Sequence, residues 1–387
     1  MTALLSSIVV LGLTSPGDPP NSPPEAPPAD PSTAPSVSTP GSAGEFLLSS
    51  LVYPDGVQDE TAFAVYLDRQ AELLASRVDA ASGDEQRITA ALESANWILA
   101  RQIEPAASRL FWEHPRPGDP ENILHLVGQA KAQLAIAAEW EEQAKADTAG
   151  DENPLAESHG IRLTLQAFAD AIEALFAGDD KQSENGQPPT DSSPAQRSTA
   201  LRRAASGLAI ATEDAAPEVV AASVFWQALL LEQAGRRDRV MTLLPQPLTA
   251  PPGDGRTWGF LARVFRCRLL CRQPDDQANR GFAAASALLL QLEERAHEWF
   301  ADPMRRRDAI RACALERLDI TRRWSRTPGV QSDTVQSDWL DHAERRILDA
   351  HFRPDMPPTV LRMELAVPTL MAVQPVAETT ADADRDH

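Results

Sequence analysis

The feature that most constrains this fold is the stretch Val219–Leu244, which contains a helical segment, a glycine turn and the beginning of a second helix. Pro217 precedes it, and proline suits a first helical position because its φ is preset and it has no N–H to leave unpaired. No further glycine or proline follows until Gly235, which can adopt the left-handed conformation that ends a helix. Pro245 then stops the second helix. The stretch therefore predicts an antiparallel helical hairpin.

The apolar residues of this hairpin occupy positions that pack in repeat proteins. With Gly235 at the turn, the small Ala228 and the large Leu231 lie on the first helix, and Val240 and Leu244 lie at the packing positions of the second. In these residues the stretch resembles a tetratricopeptide repeat. The resemblance implies an α-helical repeat protein that presents a concave or grooved surface to another protein or to a peptide.

The resemblance covers one repeat, residues 219–245, and parts of it depart from the family's pattern. Val224 stands where Trp is common, Gln227 stands where Leu is usual, and Pro245 shortens the second helix. An ordinary helical hairpin shares much of the same pattern and is the alternative interpretation. No fixed repeat period is found along the rest of the sequence, so any further repeats have diverged strongly.

The remaining sequence also favours helices. Aromatic residues make up 5% of the chain, and no long segment alternates with the period of two that strands require. Breaks rich in glycine and proline separate about a dozen predicted helices, of which Asn279–Ala301 is expected to be one. The tryptophans, Trp339 among them, fall within helical patterns and are expected in the core. The predicted fold class is all-α, with antiparallel helical hairpins stacked as an α-solenoid or an irregular helical array.

Shifts in composition divide the chain into segments. Proline, serine and alanine dominate one stretch near the N-terminus, and such a composition cannot bury a core. The predicted segments are a candidate signal peptide at 1–17, a disordered linker at 18–45, an N-terminal helical region at 46–178, an acidic flexible loop at 179–194, a C-terminal helical region with the tetratricopeptide-like hairpin at 195–375 and a disordered tail at 376–387. Within the last helical region, Thr359–Val373 is apolar enough to cap the stack.

The N-terminal residues bear on the compartment. Residues 3–13 form an apolar run that is too short to span a bilayer as a helix and resembles the hydrophobic core of a secretory signal peptide. Basic residues, which usually precede such a core, are absent here. We predict an exported protein, periplasmic or associated with the cell envelope. The alternative is a cytoplasmic protein with an apolar N-terminus.

Charge restricts the class of partner. The net charge of −20 disfavours nucleic acid and anionic membranes, and no segment predicts a membrane span. The charge is unevenly distributed, because residues 236–326 contain 18 Arg and no Lys against 11 acidic residues. In one interpretation, acidic and basic layers of the helical stack face each other or the solvent. In the other, the arginines form a basic surface for an acidic partner.

The second interpretation gives the candidate binding residues. The partner is expected to be a protein or a peptide, and an acidic one in particular. We expect no cofactor and no metal, and the preferred hypothesis is a non-catalytic interaction or scaffold module. The candidate partner-binding residues are Arg236, Arg237, Arg263, Arg266, Arg305, Arg306 and Arg311.

The three cysteines do not form a metal-binding pattern. Cys267 and Cys271 lie four residues apart, and Cys313 lies on a later helix, whereas a structural zinc site needs four ligands, usually in closely spaced pairs. Buried free thiols are expected, because cysteine often packs as a small hydrophobic residue. A disulfide between Cys313 and one of the other two is the alternative in an oxidising compartment.

Catalytic motifs are absent from the sequence. It contains no phosphate-binding glycine loop, no HExxH and no GxSxG nucleophile motif. The alternative function is an all-α enzyme whose site is assembled from distant residues, and Asp338, Asp341 and His342 are its first candidates. A simpler interpretation is an exposed helical ion pair, since Asp341 and Arg345 lie four residues apart.

Overall fold

A computed structural model describes residues 60–103, 118–147, 155–177, 194–244, 256–272, 278–301, 303–327, 330 and 333–351. All regular structure in these ranges is helical, which confirms the predicted all-α fold. The candidate signal peptide, the linker at 18–45, nearly all of the loop at 179–194, Thr359–Val373 and the tail lie outside the described residues. No described helix is both long enough and apolar enough to cross a membrane.

The helices of the described residues are numbered here in chain order. They are α1 (Glu60–Ala80), α2 (Asp84–Trp97), α3 (Asp119–Asp147), α4 (Ala156–Phe176), α5 (Pro194–Ala211), α6 (Pro217–Gln233), α7 (Arg237–Leu243), α8 (Arg256–Leu270), α9 (Ala278–Glu294), α10 (Ala296–Trp299), α11 (Pro303–Ser325) and α12 (Thr334–His351). A π-helical turn, Ile98–Gln102, continues α2. Most helices pack on the one before and the one after, and one core runs from Leu67 to Leu340.

The hairpin predicted around Gly235 is present as α6 and α7. Pro217 is the first residue of α6, and Gly235 ends it with a φ of 74°. The Gly235 amide donates to the Glu232 carbonyl at 2.9 Å, and the Arg236 amide donates to the Leu231 carbonyl at 2.8 Å. These two bonds satisfy carbonyls that a helix end otherwise leaves unpaired. The local signals of the sequence therefore determine this turn.

Successive helices run antiparallel where side-chain contacts define their direction. Ser198 at the start of α5 donates to the carbonyl of Ala234 just after α6. Trp324 near the end of α11 donates its indole N–H to Asn279 at the start of α9, over 2.9 Å. Trp324 also contacts Trp339 near the start of α12. The helices α9, α11 and α12 thus form an antiparallel set with α11 in the middle.

The predicted single helix Asn279–Ala301 is interrupted at Arg295, between α9 and the short α10. The short α10 then ends at Trp299, where Trp299 and Phe300 both pack on Phe260 of α8, with ring centroids 6.0 and 5.3 Å away. Adjacent residues of a regular helix do not share a face. Ending the helix at Trp299 and extending the backbone at Phe300 lets both rings reach the same partner.

Candidate functional site

Two of the predicted partner-binding arginines are buried. Arg263 is 4% exposed, lies 4.6 Å from the ring centre of Trp299 and donates to the carbonyl of Gly259 at 2.7 Å. Burial lowers the pKa of the Arg263 guanidinium to about 10. Arg311 is buried as well. In this structure neither guanidinium is available to a partner, because both lie beneath the surface.

Two more of these arginines bind the carbonyl ends of neighbouring helices. Arg266 of α8 donates to the carbonyls of Met241 and Leu244, at 2.7 and 3.1 Å, where α7 ends. Arg237 of α7 donates in return to two carbonyls at the end of α8. A cation at this position also complements the negative end of the helix dipole. These side chains therefore tie α7 and α8 together.

Arg306 and Arg236, two further predicted arginines, are half-buried. Arg306 donates to the carbonyls of Phe300 and Ala301 at 3.2 and 3.0 Å, and Arg236 lies 3.8 Å from the carboxylate of Asp238. The side chain of Arg305 lies outside the described residues. A partner-binding role for these three residues stays a prediction.

The acidic and histidine residues proposed for a catalytic site are exposed on α12. Asp338, Asp341 and His342 all face solvent, and Arg345 donates to the backbone carbonyl of Asp341. No group of three or more His, Cys, Asp or Glu side chains within the described ranges could hold a metal ion. The structure therefore gives these residues no enclosed site in which water could be excluded from a reaction.

All three cysteines are free thiols. Cys267 and Cys313 are buried, and this burial raises the pKa of each thiol well above its ordinary value. Cys271 is half-buried, and desolvation raises its pKa to about 12. Because the thiolate is the nucleophile, this burial disfavours the reactive form of these thiols in the folded chain.

No pattern in the sequence predicts a groove on the C-terminal helices. Helices α9 and α12 both pack on α11 but barely on each other, which leaves an open channel between them. The channel has a volume of about 470 Å³. We name it the C-terminal groove, and its main lining residues are Leu290, Arg317, Ala343, Arg346, Ile347 and Ala350.

The flank of α12 that borders this groove continues as an apolar stripe. Val335, Trp339 and Ala343 follow one another at four-residue steps, so they lie on the same helical face as the groove. Val335 is 81% exposed and Trp339 is 54% exposed. The prediction that Trp339 belongs to the core is therefore wrong, since about half of its surface is exposed although its ring lies 5.7 Å from that of Trp324.

The polar groups of the C-terminal groove leave positive charge available. Arg317 forms an ion pair with Glu293, yet its Nε atom is buried and has no hydrogen-bond acceptor among the described residues. Arg346 is exposed and forms no ion pair within the same ranges. Glu344, next to the groove, is bound to Arg322 at 2.8 Å. The groove thus offers apolar surface beside guanidinium donors.

Comparisons with known proteins give no relative from which a function could be transferred. No protein-family model matches the chain, and neither the curated proteins nor the solved structures contain a match.

Proposed function

We propose that this chain is a non-catalytic helical module that binds another protein or a peptide. The observation that carries the proposal is the C-terminal groove, with Trp339 and Val335 exposed beside it. Large apolar side chains at the surface of a helical protein are typical of interaction sites when they adjoin a concave surface. The tetratricopeptide-like hairpin at 219–245 agrees with this class of function, because repeat proteins use such surfaces for binding.

The arrangement suits recognition of a helical peptide. Helix-in-groove binding places apolar anchors at three- and four-residue steps into a hydrophobic channel between helices. In the C-terminal groove, Leu290 and Ile347 supply apolar walls, and the small Ala343 and Ala350 leave space for incoming side chains. Trp339 adds a rigid aromatic surface at one end, and tryptophan is enriched among the residues that dominate binding energy.

We test this function by selecting peptides from a displayed library on the full-length chain. Ala350→Arg fills the groove with a long charged side chain, whereas Ala64→Arg makes the same change at an exposed position of α1. Selected peptides are expected to bind at least roughly tenfold more weakly to Ala350→Arg, because the anchors lose their space. Their affinity for Ala64→Arg should be unchanged. Equal binding to both variants, or no selected peptide at all, contradicts the proposal.

We also propose that the protein is exported and works outside the cytoplasm, either tethered or secreted. The apolar run at residues 3–13, followed by the proline-rich segment at 18–45, supports this location. Intact mass and fractionation of the native protein test it. A mature chain without about its first 17 residues, found outside the cytoplasm, is the expected result. A full-length chain in the cytoplasm contradicts it.

A further inference from the structure

We infer that the ligand of the C-terminal groove is an amphipathic helical segment of another protein that carries a carboxylate beside its apolar face, an inference that rests on the proposed function. The groove combines apolar walls with two guanidinium groups, Arg317 and Arg346, on different helices. A purely apolar ligand would leave the exposed guanidinium of Arg346 without a counter-charge.

The charged residues that line the groove indicate the sign of the charge that its ligand carries. Its two acidic residues are already engaged, Glu293 with Arg317 and Asp349 with another group of the chain. The exposed guanidinium of Arg346 has no such counter-charge among the described residues, and the buried Nε of Arg317 has no acceptor. An incoming carboxylate supplies the counter-charge that the exposed Arg346 lacks, because guanidinium groups form short, charge-assisted hydrogen bonds with carboxylates.

The length of the apolar stripe on α12 favours a helical segment as the ligand. From Val335 to Ala350 the α12 backbone rises about 22 Å, which equals about four helical turns. The groove volume of about 470 Å³ accommodates a row of side chains rather than a whole folded domain. A helix that lies along α12 can place an apolar residue near Trp339, another near Ile347 and a carboxylate near Arg346.

The overall charge of the chain disfavours other anionic ligands. At a net charge of −20 the protein repels nucleic acid and anionic lipid surfaces at long range. A short peptide with one or two carboxylates beside apolar anchors gains contacts in the groove that outweigh this weak repulsion, since long-range charge effects are screened at physiological salt.

The test uses three synthetic helical peptides, each about 18 residues long so that the helix is stable. All have leucines on one face at helical spacing and differ only in two residues at the border of that face, which are Glu, Gln or Lys. Affinities are measured by fluorescence anisotropy on the full-length chain. We expect the Glu peptide to bind roughly tenfold more tightly than the Gln peptide and the Lys peptide to bind most weakly. The preference should shrink as salt is added.

A matched pair of variants tests whether the preference for the Glu peptide depends on Arg346. Arg346→Glu and Arg345→Glu change the net charge equally on adjacent residues of α12, but Arg346 lines the groove and Arg345 donates to the Asp341 carbonyl instead. We expect Arg346→Glu to reverse the order of the Glu and Lys peptides and Arg345→Glu to preserve it. Loss of the preference in both variants would mean that only long-range charge matters, which overturns the inference.

Other outcomes are equally decisive. Equal affinity for all three peptides, abolished by Ala350→Arg, refutes the carboxylate requirement but leaves the proposed function standing. Binding that appears only after Leu361→Asp and Leu365→Asp would mean that the chain's own C-terminal segment occupies the groove. A dimer in light scattering that Ala350→Arg dissociates would mean that a second copy occupies it. Either of these two results overturns the inference of a foreign ligand.

Discussion

The N-terminal helices α1–α4 and the C-terminal helices α8–α12 differ in the exposure of most of their cross-helix ion pairs. The pairs of Arg77 with Glu93 and of Lys131 with Glu173 join N-terminal helices, and each has a partner whose side chain is about half exposed. Among α8–α12, the pairs of Arg268 with Glu316 and of Arg317 with Glu293 are mostly buried on both sides. The C-terminal helices thus add mostly buried charged ties to an apolar core that extends through both regions.

Internal contacts account for part of the basic excess of the second half. Part of its arginine complement binds carboxylates on other helices, as Arg268 binds Glu316. Arg237, Arg266 and Arg306 bind backbone carbonyls at helix ends, and such acceptors require no acidic residue. A local positive balance in a sequence can therefore arise from the connections inside a helical stack.

The N-terminal region has a charged cluster of its own, but its geometry differs. The buried carboxylate of Glu141 in α3 accepts a hydrogen bond from Nε of Arg162 in α4 at 3.0 Å, and its other near contact is the ring nitrogen Nδ1 of His159 at 2.8 Å. An arginine and a histidine converge here on one acid, whereas the pairs of Arg268 with Glu316 and of Arg317 with Glu293 join an arginine to a glutamate. The cluster supplements an apolar interface.

The largest expected effect comes from the apolar N-terminal core. Phe168→Ala in α4 removes a fully buried ring and should lower the free energy of unfolding by about 4 kcal/mol, because a cavity remains. Urea unfolding followed by circular dichroism measures the loss. Leu163→Ala, at an exposed position of the same helix, should change stability by less than about 1 kcal/mol. Similar losses for both variants would show that this region does not depend on its core as described.

The next effect tests the charged ties of the C-terminal region. Glu316→Gln should lower the free energy of unfolding by about 3 kcal/mol, since it leaves the mostly buried Arg268 without its counter-charge. Asp319→Asn breaks the exposed pair with Arg323 and should cost less than about 0.5 kcal/mol. Denaturant unfolding of both variants checks the contrast. If Glu316→Gln costs no more than Asp319→Asn, the cross-helix pair does not stabilise this region.

A smaller effect separates arginines that bind carbonyls from those that do not. Arg266→Gln should cost about 1.5 kcal/mol, because the carbonyls of Met241 and Leu244 lose a charged donor at the end of α7. Arg239→Gln removes an exposed arginine of α7 and should be nearly neutral. Thermal unfolding of the two variants measures the difference. Equal stability of the two variants would show that the contacts of Arg266 with these carbonyls do not stabilise the chain. Arg266 would then be a candidate partner-binding residue again.

Local signals made much of the fold predictable from the sequence. Pro217 and Gly235 fix the bounds of α6 through their own backbone preferences, so no knowledge of neighbouring helices was needed. The helix end at Trp299 escaped prediction because Phe260, on which Trp299 and Phe300 both pack, lies in another helix. Tertiary contacts override a helical pattern that the local sequence would otherwise continue.

The candidate site was less predictable, for two physical reasons. Backbone carbonyls carry no signature in a sequence, so nothing in the pattern around Arg237 or Arg266 indicates that they bind helix ends. Val335 and Trp339 show the four-residue spacing of a buried face, yet the face they share borders an open groove. Spacing identifies a common face, but the arrangement of neighbouring helices decides whether that face is covered.

The smallest expected effect concerns the thiols, which occur only in the C-terminal half, with Cys271 in the turn directly after α8. Desolvation raises the pKa of Cys271 from 9.0 to about 12, so the folded state keeps this thiol protonated above pH 9 while the unfolded state ionises. Its contribution to stability is therefore complete below pH 9 and is lost as the pH rises towards 12. Between pH 8 and pH 10, the free energy of unfolding should fall by about 1 kcal/mol more for the wild type than for Cys271→Ser. Urea unfolding at the two pH values measures this, and identical pH dependence of the two proteins would show that the Cys271 thiol ionises as readily in the folded chain as in the unfolded one.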